Sequence, residues 1–200
     1  MRKSLASLAP QFLQRLIVWV PIVTSLVSLT IAVSSYAVAT RAPEVVLVPP
    51  RQVRVAQGGE AAFLYVQPTF LSAGRNNRAE VILTMRLEVA PVESESSVEF
   101  YWDEQGAWQP TGGSQELSWV FVSDPVPLLV TPQSPQLPVG LFIGPPEWAF
   151  EPGTYRVTVV AERGVVSTPL RDTFEVELSQ EDIDFLNASN GTRFLTFPTR

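Results

Sequence analysis

The chain contains no cysteine and no histidine. Without cysteine it has no disulfide, no thiolate nucleophile and no lipid-attachment thiol, so any folded domain must stand on its core alone. Without histidine it lacks the Ser-His-Asp and Cys-His constellations, imidazole metal sites and the commonest general base, and most hydrolase mechanisms go with them. Neither a GxxxxGK[ST] phosphate loop nor a GxGxxG turn occurs, so no nucleotide and no other cofactor is implied. Lysine is almost missing as well, Lys3 being the single one among 14 basic residues.

Positive charge is also unevenly spread. Arg2, Lys3 and Arg15 precede a long apolar run, whereas residues 40–200 hold 11 Arg against 20 Asp and Glu, a net −9. Between Arg86 and Arg156 there are ten acidic residues and no basic one. Such a domain is repelled by nucleic acid and offers no phosphate-binding face there.

What is present begins with the apolar run. Leu16 to Ala39 is 24 residues without a charge, about 36 Å as a helix against a hydrocarbon core of ~30 Å. This predicts a transmembrane helix over 16–39, longer than the apolar region of a secretory signal, with Pro21 as a tolerated kink. The alternative is cleavage after Ala39, since Ala37 and Ala39 are small residues at the positions signal peptidase requires. In both cases the basic flank keeps residues 1–15 cytoplasmic and sends residues 40–200 across the membrane. Leu5, Leu8 and Phe12 either lie along the inner surface or belong to a disordered tail.

Beyond the span, apolar residues alternate with polar ones. In EVILTMRLEVA, Val81, Leu83, Met85, Leu87 and Val89 share one face; TYRVTVVA and TFEVEL turn Tyr155, Val157, Val159, Phe174, Val176 and Leu178 inward, the pattern of half-buried antiparallel strands. Apolar runs at Val45–Val48, Ala61–Val66, Leu117–Val122, Leu128–Val130 and Val139–Ile143, separated by Gly-rich turns, bring the expected total to about seven to nine strands. The expected fold is an all-β, antiparallel two-sheet sandwich over residues 40–178. Residues 179–200 add a helical turn started by Ser179 and Asp182, then a tail or edge strand at RFLTF.

The stretch EPGTYRVTVVAER followed by DTFEVEL resembles the closing strands of bacterial immunoglobulin-like and fibronectin type III-like domains. The resemblance covers about 25 of the 200 residues and implies architecture only, with Tyr155 as a core residue at the start of its strand.

Three constellations invite a functional reading. FYWDEQGAW reads as a hairpin turning at Asp103 to Gly106, with Trp102 and Trp108 able to stack on sugar rings or, equally, to fill the core. Glu99 and Asp103, four residues apart on one face, lie ~13 Å apart along an extended strand, too far for a glycosidase pair. The segment 123–153, with eight prolines, reads as an extended loop or edge system and not a central strand, in which Phe142, Trp148 and Phe150 either anchor a protein partner or plug the end of the sandwich. Glu181, Asp182 and Asp184 fit a solvated helix start better than a calcium loop. Asn187 and Asn190 head two N-x-S/T sequons, which become glycan sites only under luminal export in a eukaryote.

The function expected from these residues is a membrane-anchored, non-enzymatic module that binds an extracytoplasmic protein or serves as an accessory subunit. A carbohydrate-binding module is the alternative, and a carboxylate-only glycoside hydrolase a third.

Overall fold

The computed structural model describes residues 9–59, 61–73, 78–94, 96–110, 117–189, 191 and 193–200, with side chains from residue 18 onward. The turns at GRNN and TGGS and the sequon residue Asn190 lie outside the described residues. The chain divides into two compact units at Arg41/Ala42.

The first unit is helix α1, Ala9–Ala39. It continues through Pro21 without a break, as proline allows near the start of an apolar stretch. Val18–Ala39 is long and apolar enough to cross a membrane. Within it Thr24 and Thr30 donate to the carbonyls of Val20 and Leu26 at 2.7 and 2.8 Å, so both hydroxyls are paired inside the helix.

The second unit is built from β1 Val45–Val48, β2 Gln52–Gly58, β3 Ala61–Val66, β4 Thr69–Ser72, β5 Glu80–Pro91, β6 Val98–Pro110, β7 Leu117–Ser123, β8 Leu128–Val130, β9 Gly140–Ile143, β10 Gly153–Arg163, β11 Leu170–Leu178, α2 Gln180–Ser189 and β12 Leu195–Pro198. All pairings are antiparallel. β1 and β4 form a ribbon, and the other ten strands belong to one sheet in the order β11-β10-β5-β6-β9-β3-β2-β12, with β7 added to β6 and β8 to β5. That sheet nearly closes on itself. Beyond β12, Arg200 exchanges backbone hydrogen bonds with Glu175 of β11 at 3.1 and 3.3 Å, so the two ends of the strand order cover each other.

The enclosed core unites Val53, Val55, Leu64, Leu87, Phe100, Phe142, Val157, Phe174 and Leu186 with their neighbours. Two sequence expectations change here. The single face drawn through Val81 to Val89 breaks in the middle: Met85, Leu87 and Val89 are buried, but Ile82 is buried in place of Val81, and Leu83 is exposed. The cause is a register shift where Glu162 pairs with Thr84 and Arg163 with Ile82, because one extra residue moves every later side chain to the other face. Second, β6 does not turn at Asp103 to Gly106. It runs on for 13 residues and changes partner on the way, from β5 to β9 to β7. β2 and the four-residue β4, unforeseen from sequence, lie beside prolines and glycines, and RFLTF yields β12, a paired strand.

Candidate functional site

The aromatic residues of the Pro-rich segment lie mostly inward, although most of its prolines stay exposed or partly exposed. Phe142 and Phe150 are core residues. Trp148 is half-buried, set edge-on against Phe100, Phe150 and Tyr155 with centroids 5.2, 4.7 and 6.2 Å away, and its remaining surface lines a shallow cleft with Gln57, Glu147 and Asn187. Phe142 and Phe150 thus plug the interior rather than stand free to dock a partner, because burying their rings removes apolar area from water, while Trp148 stays partly open. The plug is pinned by polar bonds. Buried Gln57 accepts from the Phe150 amide at 2.7 Å and donates to the Asn187 side chain at 2.6 Å. The Tyr155 hydroxyl accepts from the Glu151 amide at 2.8 Å and donates to the Glu151 carbonyl at 3.0 Å; burial raises the phenol's pKa, and the carboxylate of Glu151 adds to the rise.

Trp102 has no free face for a sugar, which corrects its ligand-stacking assignment, whereas Trp108 keeps partial exposure. Trp102 is buried against Phe142, its indole donating to the Glu104 carbonyl at 2.9 Å. Trp108 lies outside the core: Tyr65, Trp119 and Phe194 pack against it at 4.9, 5.3 and 4.5 Å, and the Arg54 guanidinium stands 4.3 Å above its ring. Arg54 and Tyr65 are cross-strand partners on β2 and β3, facing away from the core that Val53, Val55, Leu64 and Val66 enter. The β6–β7 hairpin thus lies over the outer face of β2 and β3 and makes a second, aromatic cluster there. Burial lowers the Arg54 pKa, and the guanidinium's contact with two rings offsets part of that cost.

Gly106 makes this placement possible. A Cβ there would stand 2.4 Å from a Trp119 ring carbon and 2.6 Å from the Val120 carbonyl, and the register shifts beside it, between Gln105 and Gly106. Only glycine permits so close an approach.

What the hairpin leaves open is the outer edge of β7. Among the described residues β7 pairs with β6 alone. The edge carries Leu117, Phe121 and Val122, all exposed, the last two at 53% and 61%, and the exposed apolar surface continues through Val126 to Leu129. At the Ser123 end lie Asp103, Glu104 and Asp124; burial and then its two acidic neighbours raise the Asp103 pKa. Glu104 accepts from the Trp119 indole at 2.8 Å. Several other surface carboxylates have arginines: Arg86 meets Glu88, Glu99 and Glu162 at 3.6, 3.2 and 2.6 Å, and Arg171 meets Glu88 at 2.8 Å.

The remaining acidic motif belongs to the fold. Asp182 and Ser179 cap α2 reciprocally at 2.7–3.2 Å, and Asp184 accepts from Gln180 at 2.9 Å. One feature escaped sequence reading: Glu80, wholly buried, binds Arg163 at 2.8 Å and accepts from the Val165 amide at 2.9 Å, while Arg163 also donates to the Pro43 carbonyl. Comparison with protein families, curated proteins and solved structures finds no match to this chain.

Proposed function

We propose that this chain is a single-pass membrane protein whose residues 42–200 form a non-enzymatic domain, held on the side opposite its basic N-terminus, that binds another protein along the β7 edge. The observation that carries the reading is the open edge itself: a seven-residue strand with exposed Leu117, Phe121 and Val122 and no charge. Edge strands on soluble domains are ordinarily guarded by charge, proline or cover, and an unguarded one is a template for pairing. Retention of the helix is supported by the 22 uncharged, mainly apolar residues Val18–Ala39, which reach about 33 Å, and its orientation by Arg2, Lys3 and Arg15 ahead of it.

The domain is read as an immunoglobulin-like arrangement in which β6 passes from one half of the sheet to the other. The bulged strand between two sets of partners supports this. So does the bond from the Tyr155 hydroxyl to backbone four residues upstream, which resembles the tyrosine corner of such domains.

The test places a photo-crosslinking amino acid at Phe121, Tyr101 or Leu83, three exposed positions, in the full-length chain in its native membrane. Protein adducts of one defined mass from Phe121, and none from Tyr101, are expected. Adducts only from Tyr101 would move the surface to the acidic strand face around Glu99, and none from any position would end the binding-module reading.

A further inference from the structure

We infer that the β7 edge takes up an extended strand from a different protein, with basic residues on that strand beside the Ser123 end. This deepens the proposed function and rests on β7 being the docking edge. Strand edges elsewhere in the domain are closed or guarded. β11 and β12 are joined through Glu175 and Arg200. β8 is three residues long between Pro127 and Pro132, and β1 is four residues between Pro43 and Pro49. β7 is longer, and from Leu117 to Phe121 it keeps a regular register with β6 and contains no proline, glycine or charge. A strand with one side paired presents alternate N–H and C=O groups on the other, and the ligand chemistry that satisfies them is a second extended backbone.

Charge selects among such strands. Asp124 directly follows the edge strand, and Asp103 and Glu104 stand behind it on β6, just before Gln105, the partner of Ser123. Among the described residues none of the three has an ion pair, whereas Glu88, Glu99 and Glu162 on the neighbouring strand face each meet Arg86. A basic residue on the incoming strand would meet uncompensated negative charge there and none of the domain's own arginines. A second copy of this chain does not supply it, because residues 110–127 contain no Lys or Arg.

The experiment uses the full-length chain in lipid nanodiscs and two synthetic peptides of alternating Val and Thr, one with paired lysines at both ends and one with paired glutamates. Amide hydrogen exchange is followed with each peptide at millimolar concentration. The lysine peptide should slow the fast-exchanging amides of Leu117–Ser123 about tenfold and bind about fivefold more tightly than the glutamate peptide, the range of a few exposed charge pairs. Asp124→Lys, at an exposed position outside the strand, should reverse that preference. Unchanged exchange in β7 with either peptide, or equal binding of both, overturns the inference. Protection of β7 that grows with protein concentration alone overturns it in favour of self-pairing. If Phe121 still forms crosslinks while β7 stays unprotected, the strand inference fails and the docking edge stands.

Discussion

Glu80 and Arg163 illustrate how one residue pair can hold distant segments. The carboxylate is wholly buried and the guanidinium 10% exposed, and through them β5, the 163–165 turn and the backbone at Pro43 share one set of hydrogen bonds. Removing one charge strands the other, so Glu80→Gln should cost about 3 kcal/mol in a urea melt, and Glu80→Gln with Arg163→Met should recover part of it. Trp148→Ala should cost about 2 kcal/mol through the lost ring contacts of the plug, with Phe121 crosslinking unchanged in the folded fraction. Asp103 adds a pH dependence. Its folded pKa is raised, first by burial and then by Glu104 and Asp124, so the folded state binds the proton more tightly than the unfolded one. Its contribution to stability therefore falls as pH rises from the unfolded value through the raised folded one. Asp103→Asn should raise Tm at pH 7, with the gain shrinking towards pH 3.

At the scale of elements, the β6–β7 hairpin depends on its glycine. Gly106→Val would drive side-chain atoms into Trp119 and the Val120 carbonyl, costing about 1–3 kcal/mol or lifting the hairpin from the outer face of β2 and β3. Red-shifted tryptophan emission with faster exchange confined to β6 and β7 is the expected signature. Nothing in FYWDEQGAW marks this from sequence: DEQG carries ordinary turn residues, and only the pairing of Trp108 with Trp119 and of Tyr101 with Ile143 makes the stretch one strand. Helix α1 is the opposite case. Its long apolar stretch was legible from composition alone, and in the structure Val18–Ala39 is helix long and apolar enough to cross a membrane. N-terminal sequencing of the mature protein should find the chain uncut; a start at Thr40 would refute the anchor.

For the domain as a whole, the last strand closes the sheet. β12 pairs with β2, Thr199 donates to carbonyls at Arg51 and Pro50, and Arg200 binds Glu175. Deleting residues 194–200 would remove Phe194 from Trp108 and bare the edges of β2 and β11 at once. The truncated chain should bind a hydrophobic dye and self-associate, as measured by light scattering, because open apolar edges pair with one another.

The sequence alone determined whatever depends on local pattern: the apolar segment by its length and lack of charge, strands marked by alternation such as TYRVTVVA and TFEVEL, and the capped start of α2. Those features follow from neighbouring residues, which a sequence displays directly. Tertiary structure decided the rest. Aromatics in the Pro-rich segment became core when Phe100 and Tyr155 met them from other strands, and Arg54 and Tyr65 packed against Trp108. The open edge of β7 was likewise beyond the sequence, since an edge is defined by the strand that is not beside it, and neighbours in a sheet are fixed by long-range pairing rather than by the residues of one strand.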